Sequence, residues 1–84
     1  MEEIGQPTTQ GGIGIGYSLD YNFKEAFQAA IGNIPPDPRA EGTADLLFTY
    51  EVVAIGAEIG GFAGFNHMYV SVRDTTYYPP PSVG

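Results

Sequence analysis

Cysteine and tryptophan are both absent from this chain of 84 residues, and histidine occurs only once. Without cysteine the chain can form neither a disulfide nor a thiolate metal site. A single histidine cannot build a histidine-rich metal centre within one chain. The sequence therefore predicts no metal site, and any stability needed beyond the chain's own core must come from another source.

Basic residues are scarce as well, because three lysines and arginines stand against ten acids and leave a formal net charge of −7. This acidic excess repels phosphate backbones, so we expect no nucleic-acid partner. No apolar run approaches the roughly 18 residues of a membrane span, and no basic-then-apolar signal opens the chain. We therefore expect no membrane partner and a cytoplasmic location.

The length of the chain allows one domain flanked by two tails. Residues 1–11 are polar and without period, which predicts a flexible N-terminal arm. Residues 75–84 end in Y-Y-P-P-P-S-V-G, and consecutive prolines favour an extended polyproline II tail. Residues 12–74 form the folding unit. A domain of this size buries only about 60% of its unfolded surface, so without disulfides we expect self-association to supplement its stability.

One segment, residues 22–32, has the apolar period of an α-helix. Its apolar residues fall at i, i+3, i+4, i+7 and i+8 and share one face: Phe23, Ala26, Phe27, Ala30 and Ile31. Asn22 is placed to cap the first turn, with Glu25 as the capping-box acid. Gly32 is expected to take a left-handed conformation as the C-terminal cap. So short a helix is marginal alone in water, so its apolar stripe must dock on a sheet.

The stretch before the helix has the alternation of a strand. In residues 12–19 apolar side chains alternate with glycine or serine, and we expect Ile13, Ile15, Tyr17 and Leu19 to lie under the helix. The glycines would then form a bare opposite face. After the helix, residues 33–44 contain three prolines and predict a solvated loop.

The second half of the domain predicts a hairpin. Residues 45–59 and 62–74 are rich in aromatic and β-branched residues, with Gly60-Gly61 between them as the turn signal. Each strand should turn one apolar row toward the helix: Tyr50 and Val52, Val70 and Val72. A two-residue Gly-Gly turn would put these rows on opposite faces. We therefore expect a three-residue loop or a bulge near residues 60–64.

Two stretches carry a resemblance to a known family. N-F-K-E-A-F-Q-A-A-I at 22–31 resembles the cap-aromatic-x-E-A-x-x-x-A-I helix of the dodecins, small flavin-binding proteins that assemble into hollow twelve-subunit spheres. Y-E-V-V at 50–53 and Y-V-S-V at 69–72 are similar to that family's second and third strands. The resemblance implies an α+β fold of order β-α-β-β, with a single short helix packed on one face of a three-stranded antiparallel sheet. The other face would be buried in an oligomer.

The residues that contact the ligand differ from the family's pattern. In dodecins a tryptophan stacks on the flavin and a glutamine on the last strand hydrogen-bonds it, whereas Thr49 and Tyr69 stand at those positions here. The resemblance therefore implies a small flat ligand, with flavin as the family's example, and Tyr69 offers an aromatic ring for stacking. The ligand-binding residues that we predict are Thr49, Glu51, Tyr69 and Ser71.

The sheet face away from the helix is predicted to lie between subunits, because one helix cannot cover both faces of a sheet. Its mixture of apolar and polar residues suits an interface: Thr49, Glu51, Val53, Ile55, His67, Tyr69, Ser71 and Arg73. Glu51 is expected to face Arg73, Lys24 or an arginine of a neighbouring subunit.

Enzymatic activity is not expected. His67 is the only candidate base, and a sheet this small should offer no deep pocket within one subunit, so we predict no catalytic residues. The expected function is the binding or sequestering of a small flat ligand between the subunits of a homo-oligomer. The alternative is a non-enzymatic structural or interaction protein that presents its acidic surface and its tail, Thr75 to Gly84, to a protein partner.

Overall fold

The computed structural model describes residues 11–41 and 45–78. The predicted arm up to Gln10 and the tail after Tyr78 lie outside these described residues. The order of elements confirms the predicted α+β, β-α-β-β layout. These elements are β1 (Ile13–Ser18), α1 (Phe23–Gly32), a short 3-10 helix (Pro38–Ala40), β2 (Tyr50–Gly60) and β3 (Phe65–Asp74).

The three strands form one antiparallel sheet in the order β1-β3-β2, so β3 is central and β1 and β2 are its edges. The helix α1 packs mainly on β1 and β3. Most of β2 therefore has no helix above it, and its apolar side chains Val52, Ile55 and Ile59 are exposed.

The start of α1 is capped as the sequence predicts, and the cap is also tied to β1. Asn22 Oδ1 accepts a hydrogen bond of 2.9 Å from the backbone N–H of Glu25. The Ser18 hydroxyl donates to the Glu25 carboxylate at 2.6 Å and accepts from the Asn22 backbone N–H at 3.0 Å. The end of α1 differs from the prediction, because Gly32 is its last helical residue and Asn33, in a right-handed conformation, caps it.

The face of β1 that lies under α1 is opposite to the predicted one. Gly14 and Gly16 are buried beneath the helix, whereas Ile13, Ile15 and Tyr17 are 43–51% exposed on the other face. The reason is the closeness of the helix. A Cβ added at Gly16 would collide with backbone atoms of Ala26 and Ala30, so only glycine allows the helix backbone to rest on the strand backbone.

The core is correspondingly small and consists mostly of short side chains. Half-buried Phe27, Ile31, Ile34 and Tyr50 pack around it. Its buried members are Ala26, Ala30, Met68, Val70 and Val72. So small a core leaves many large apolar side chains at the surface, a feature typical of chains that associate.

In the β2–β3 hairpin the predicted apolar rows of the two strands share the helix side, as expected, but the β-bulge is not where it was predicted. Val52 is paired with Val72, and Tyr50 with Asp74, so both lie on the helix side as expected. The tip is a turn at residues 61–64, and the register shift instead falls between Val52 and Ala54. Val53 is the bulged residue. Beyond it the alternation is reversed, which places Ile55 opposite Val70 on the helix side and not on the face predicted for it.

Candidate functional site

The sheet surface opposite α1 is here named the open face. On β1 and β3 it is defined by directly paired residues: Ile13 with Arg73, Ile15 with Ser71, and Tyr17 with Tyr69. On β2 the residues paired with the same three positions of β3 are Glu51, Ala54 and Gly56, and Glu58 is paired with His67. Directly opposed residues of antiparallel strands point to one face, so all of these side chains share it. Tyr69, Ser71, Arg73 and Glu51 thus lie together on the predicted face.

Tyr69 is at the centre of the open face, between Tyr17 on β1 and Gly56 on β2. The position of a Cβ at Gly56 would lie 2.5 Å from Tyr69 Oη and 2.6 Å from its Cζ. The ring therefore rests directly on the Gly56 backbone, in the space that a side chain would occupy. This contact holds the half-buried Tyr69 ring against the sheet.

The other predicted ligand residues form a row along the sheet. Ser71 is two positions from Tyr69, between Ile15 and Ala54. Glu51 accepts a hydrogen bond of 3.4 Å from Arg73, the first of the partners predicted for it, about 13 Å along β3 from Tyr69. Thr49 lies beyond the start of β2.

Thr49 is tied to the segment that follows β3. Its hydroxyl is 2.9 Å from the hydroxyl of Thr75, and its backbone N–H donates to Thr76 Oγ1 at 3.0 Å. Along the strands this position is about 20 Å from Tyr69. A small ligand stacked on Tyr69 therefore reaches Ser71, while Thr49 belongs to the far end of the face.

His67 also lies on the open face, next to Tyr17. The two ring centroids are 4.9 Å apart in an edge-to-face arrangement. His67 Nε2 is 2.7 Å from Glu58 Oε1, so its partner is a residue of β2 and not Ser71 or Glu51. The histidine thus extends the aromatic surface of Tyr17 and Tyr69 by one ring.

A second concave site lies on the helix side, where the chain passes from α1 to β2. It is a pocket of about 450 Å³, here named the proline pocket. Its apolar wall is formed by Ile34, Pro35, Pro38, Phe48, Tyr50 and Tyr78. The expectation that one subunit offers no deep pocket stays a prediction, because this pocket is a wide recess that is open at the surface. The pocket lies between the end of α1, the proline-rich connection with its 3-10 helix, the start of β2 and the end of β3.

The polar groups in the wall of the proline pocket bind one another. Asp74 is only 5% exposed, and its carboxylate accepts hydrogen bonds of 2.9 Å from the Thr76 N–H and 2.8 Å from the Tyr78 hydroxyl. Asp37 binds the Arg39 guanidinium at 2.6 Å. Arg39 in turn lies over the Tyr78 ring, 4.3 Å from its centroid.

These contacts shift the acidity of the groups involved. For Asp74, burial acts to raise the pKa, but the hydrogen bonds from Thr76 and Tyr78 outweigh it, and the pKa lies below the ordinary 3.8. Burial and the hydrogen bond to Asp74 raise the pKa of Tyr78. The hydrogen bonds from Arg39 lower the pKa of Asp37. The pocket wall is therefore a pre-formed polar network around an apolar centre.

The sequence analysis predicted neither the packing of the Tyr69 ring on Gly56 nor the proline pocket. The available signal for the packing of Tyr69 was Gly56 itself, because a glycine inside a strand often marks the close approach of a neighbouring group. No comparable signal marks the pocket, since its wall combines α1, the proline-rich connection and residues from both ends of the hairpin.

In comparisons with known proteins, no family model, curated protein or solved structure matches the chain. Within residues 11–41 and 45–78, no group of three or more His, Asp or Glu side chains is arranged to hold a metal ion. The helices in this part of the chain are also too short or too polar to cross a membrane.

Proposed function

We propose that the protein is a dodecin-like homo-oligomer that binds a small flat ligand between subunits at the open face. The observation that supports this most directly is the Tyr69 ring, which rests on Gly56 and is half-buried at the centre of the open face. An aromatic ring held in this way is suited to stack on a planar ligand, because little rotamer freedom is lost on binding.

The need for a second subunit comes from the shape of the open face. It is a sheet surface without walls, and the apolar side chains beside Tyr69, namely Ile13, Ile15 and Tyr17, are about half exposed. A second copy placed face to face would cover these side chains and close the other side of the ligand. Ser71 and the Arg73–Glu51 pair supply the polar groups that would orient it. No step of chemistry is required of the protein.

Replacing Tyr69 with alanine tests the proposal. Loss of the stacking ring should weaken ligand binding about tenfold or more, whereas Tyr69→Phe, which keeps the ring, should bind almost as well. Native mass spectrometry of the purified protein would report subunit number and any bound mass. Titration with riboflavin as a flat probe, followed by its fluorescence, would give the affinity.

The control variant Tyr77→Ala removes an exposed tyrosine outside the open face and should bind like the wild type. An assembly that carries no ligand and does not bind riboflavin would contradict the proposal. So would a Tyr69→Ala variant that keeps its ligand.

A structural or interaction protein is the second candidate function, and the contacts of Tyr78 favour it. Tyr78 is anchored by Asp74 and covered by Arg39, so the proline-rich sequence after it starts from a fixed point of the domain. Such a tail would present its prolines to an aromatic-lined groove of a partner.

Truncation after Tyr78 separates this second candidate from the first. Removing residues 79–84 should abolish binding to a purified SH3-type domain, because the proline segment is lost, while the Thr76 and Tyr78 contacts and the fold remain. Binding would be measured by calorimetry, with the thermal melting curve as the check on folding. Equal binding by the full and truncated chains would rule the tail out as the docking segment.

A further inference from the structure

The tip of the β2–β3 hairpin carries a fully exposed phenylalanine. The tip, here residues 60–66, carries Phe62, whose relative exposure is 111%. The turn is held in shape by a hydrogen bond of 3.2 Å from Gly64 N–H to Gly61 O. Gly60, Gly61 and Gly64 all have positive φ, a conformation that glycine adopts without strain. The turn therefore presents the Phe62 ring on a formed loop.

The proline pocket offers a matching cavity. Its volume of about 450 Å³ is within the range that holds a small molecule, so it is ample for one aromatic side chain. Because Asp74 and Asp37 are already bound by Tyr78 and Arg39, an occupant has no need to bring polar groups. An apolar, aromatic occupant suits this wall of proline, aliphatic and aromatic side chains.

Phe62 cannot fill the pocket of its own chain. The pocket includes Tyr50 at the start of β2, and the tip follows Gly60 at the end of that strand. The strand has 11 residues, which separates the two sites by about 33 Å. The two features are at opposite ends of one rigid hairpin, so a contact between them must join two molecules.

The charges allow a second copy of the chain to approach the pocket through its tip. Two copies of a chain with net charge −7 repel each other, and the pocket rim bears Glu41 beside the Asp37–Arg39 ion pair. The tip, residues 60–66, contains no charged residue. The tip of an acidic neighbour can therefore approach Glu41 at the rim without like-charge repulsion.

We propose that Phe62 of one subunit inserts into the proline pocket of the next, in a head-to-tail contact between copies of this chain. The contact is heterologous, since the two surfaces that meet are different, and it generates a ring where the rotation closes. It rests on the proposed homo-oligomer and deepens it. The open face supplies the ligand site, and the tip and the pocket link subunits to one another.

Sedimentation velocity of the full chain over a concentration series tests the contact. Phe62→Ala should weaken the subunit contact about tenfold or more, the loss expected for one buried aromatic side chain. The variant should keep the circular dichroism and melting temperature of the wild type, because the Phe62 side chain is fully exposed. Leu19→Ala, which removes another exposed apolar residue outside the tip and the pocket, should associate like the wild type.

Mixing two variants distinguishes a head-to-tail contact from a symmetric one. Phe62→Ala keeps the pocket, while Ala40→Trp, placed in the pocket wall, fills it and keeps the tip. Neither should form this contact alone, but an equimolar mixture should give one-to-one complexes. Should Ala40→Trp fail to fold, single-cysteine variants replace it, because the natural chain has no cysteine. Ala63→Cys mixed with Glu41→Cys should then yield mainly the 41–63 disulfide under mild oxidation.

Several outcomes would overturn the contact. These are an assembly unchanged by Phe62→Ala, a mixed sample dominated by 63–63 disulfides, or Phe62-dependent binding to phosphatidylcholine vesicles without any effect on self-association. The ligand proposal is judged separately, since it depends on Tyr69→Ala and on bound mass. A ligand-free assembly that Phe62→Ala dissociates would support the contact and refute the ligand site, and the reverse result would do the opposite.

Discussion

Gly16→Ala should strongly destabilise the protein, although the change adds a single methyl group. The new Cβ would meet the carbonyl oxygen of Ala26 and the backbone nitrogen of Ala30 at distances no real contact has. Both are backbone atoms of α1, which cannot rotate away as a side chain would. The helix must therefore lift from β1, and we expect a loss of about 3 kcal/mol or more in the free energy of unfolding.

Urea unfolding followed by far-ultraviolet circular dichroism measures this loss. Gly32→Ala is the matched control, because a Cβ at Gly32 would have no neighbour within 4 Å and Gly32 has helical conformation. That variant should unfold at the same urea concentration as the wild type or slightly above it, since alanine favours the helix. A Gly16→Ala protein as stable as the wild type would show that α1 does not rest on the backbone of β1.

The same contact explains why the face of β1 was wrongly predicted. An alternating strand normally turns its large apolar side chains toward the core, so Ile13 and Ile15 were expected under α1. Here the glycines are buried, because the side of α1 that meets β1 presents Ala26 and Ala30 and allows a backbone-to-backbone approach. The periodicity of the strand correctly separated the two faces, but it could not say which one the helix would choose.

The hairpin shows a similar limit. For Tyr50 and Val70 to lie on the same face of the sheet, one irregularity was required in β2 or in the turn, and the structure has one. A sequence can show that one strand must contain an extra, bulged residue without showing which residue it is. The bulge is at Val53 because of the local pairing of two strands. Ile55 was placed on the wrong face for this reason alone.

The candidate site was predicted in part. The common face of Glu51, Tyr69, Ser71 and Arg73 follows from alternation within each strand and from the paired register. Predicting that the Tyr69 ring packs on Gly56 would have required the register between β2 and β3, and the alternation within each strand does not supply that register. The proline pocket required packing between segments distant in sequence, so only the three-dimensional structure could bring Pro38, Phe48 and Tyr78 together.

The residues that follow β3 lead to the second strong prediction, which concerns Asp74. Its carboxylate accepts hydrogen bonds from the Thr76 N–H and the Tyr78 hydroxyl in a nearly buried position. In Asp74→Asn one amide oxygen can still accept, but the amide nitrogen cannot accept from Tyr78. A buried donor is then left without a partner, and we expect the free energy of unfolding to fall by about 2 kcal/mol.

Tyr78→Phe provides the control, because it removes the donor as well as its need for a partner. It should cost less than Asp74→Asn, and the double variant should cost less than the sum of the two single changes, since both break the same hydrogen bond. Additive losses would show that Asp74 stabilises the chain through other groups. Chemical unfolding at pH 7 gives all three free energies.

The dependence on pH provides an independent check, and its sign follows from the pKa of Asp74. That pKa lies below 3.8 in the folded protein, so the folded state binds the proton more weakly than the unfolded chain does. The stabilisation is therefore complete above pH 3.8 and is lost as the pH falls through the folded pKa.

The difference in stability between the wild type and Asp74→Asn should be constant near neutral pH and should shrink in this acid range. Asp37 is present in both proteins, but its charge acts to raise the pKa of Asp74, so the change in the difference includes the interaction between these two carboxylates. If the difference stayed constant down to pH 2.5, the Asp74 carboxylate would not be the charged acceptor that holds Tyr78 against the proline pocket.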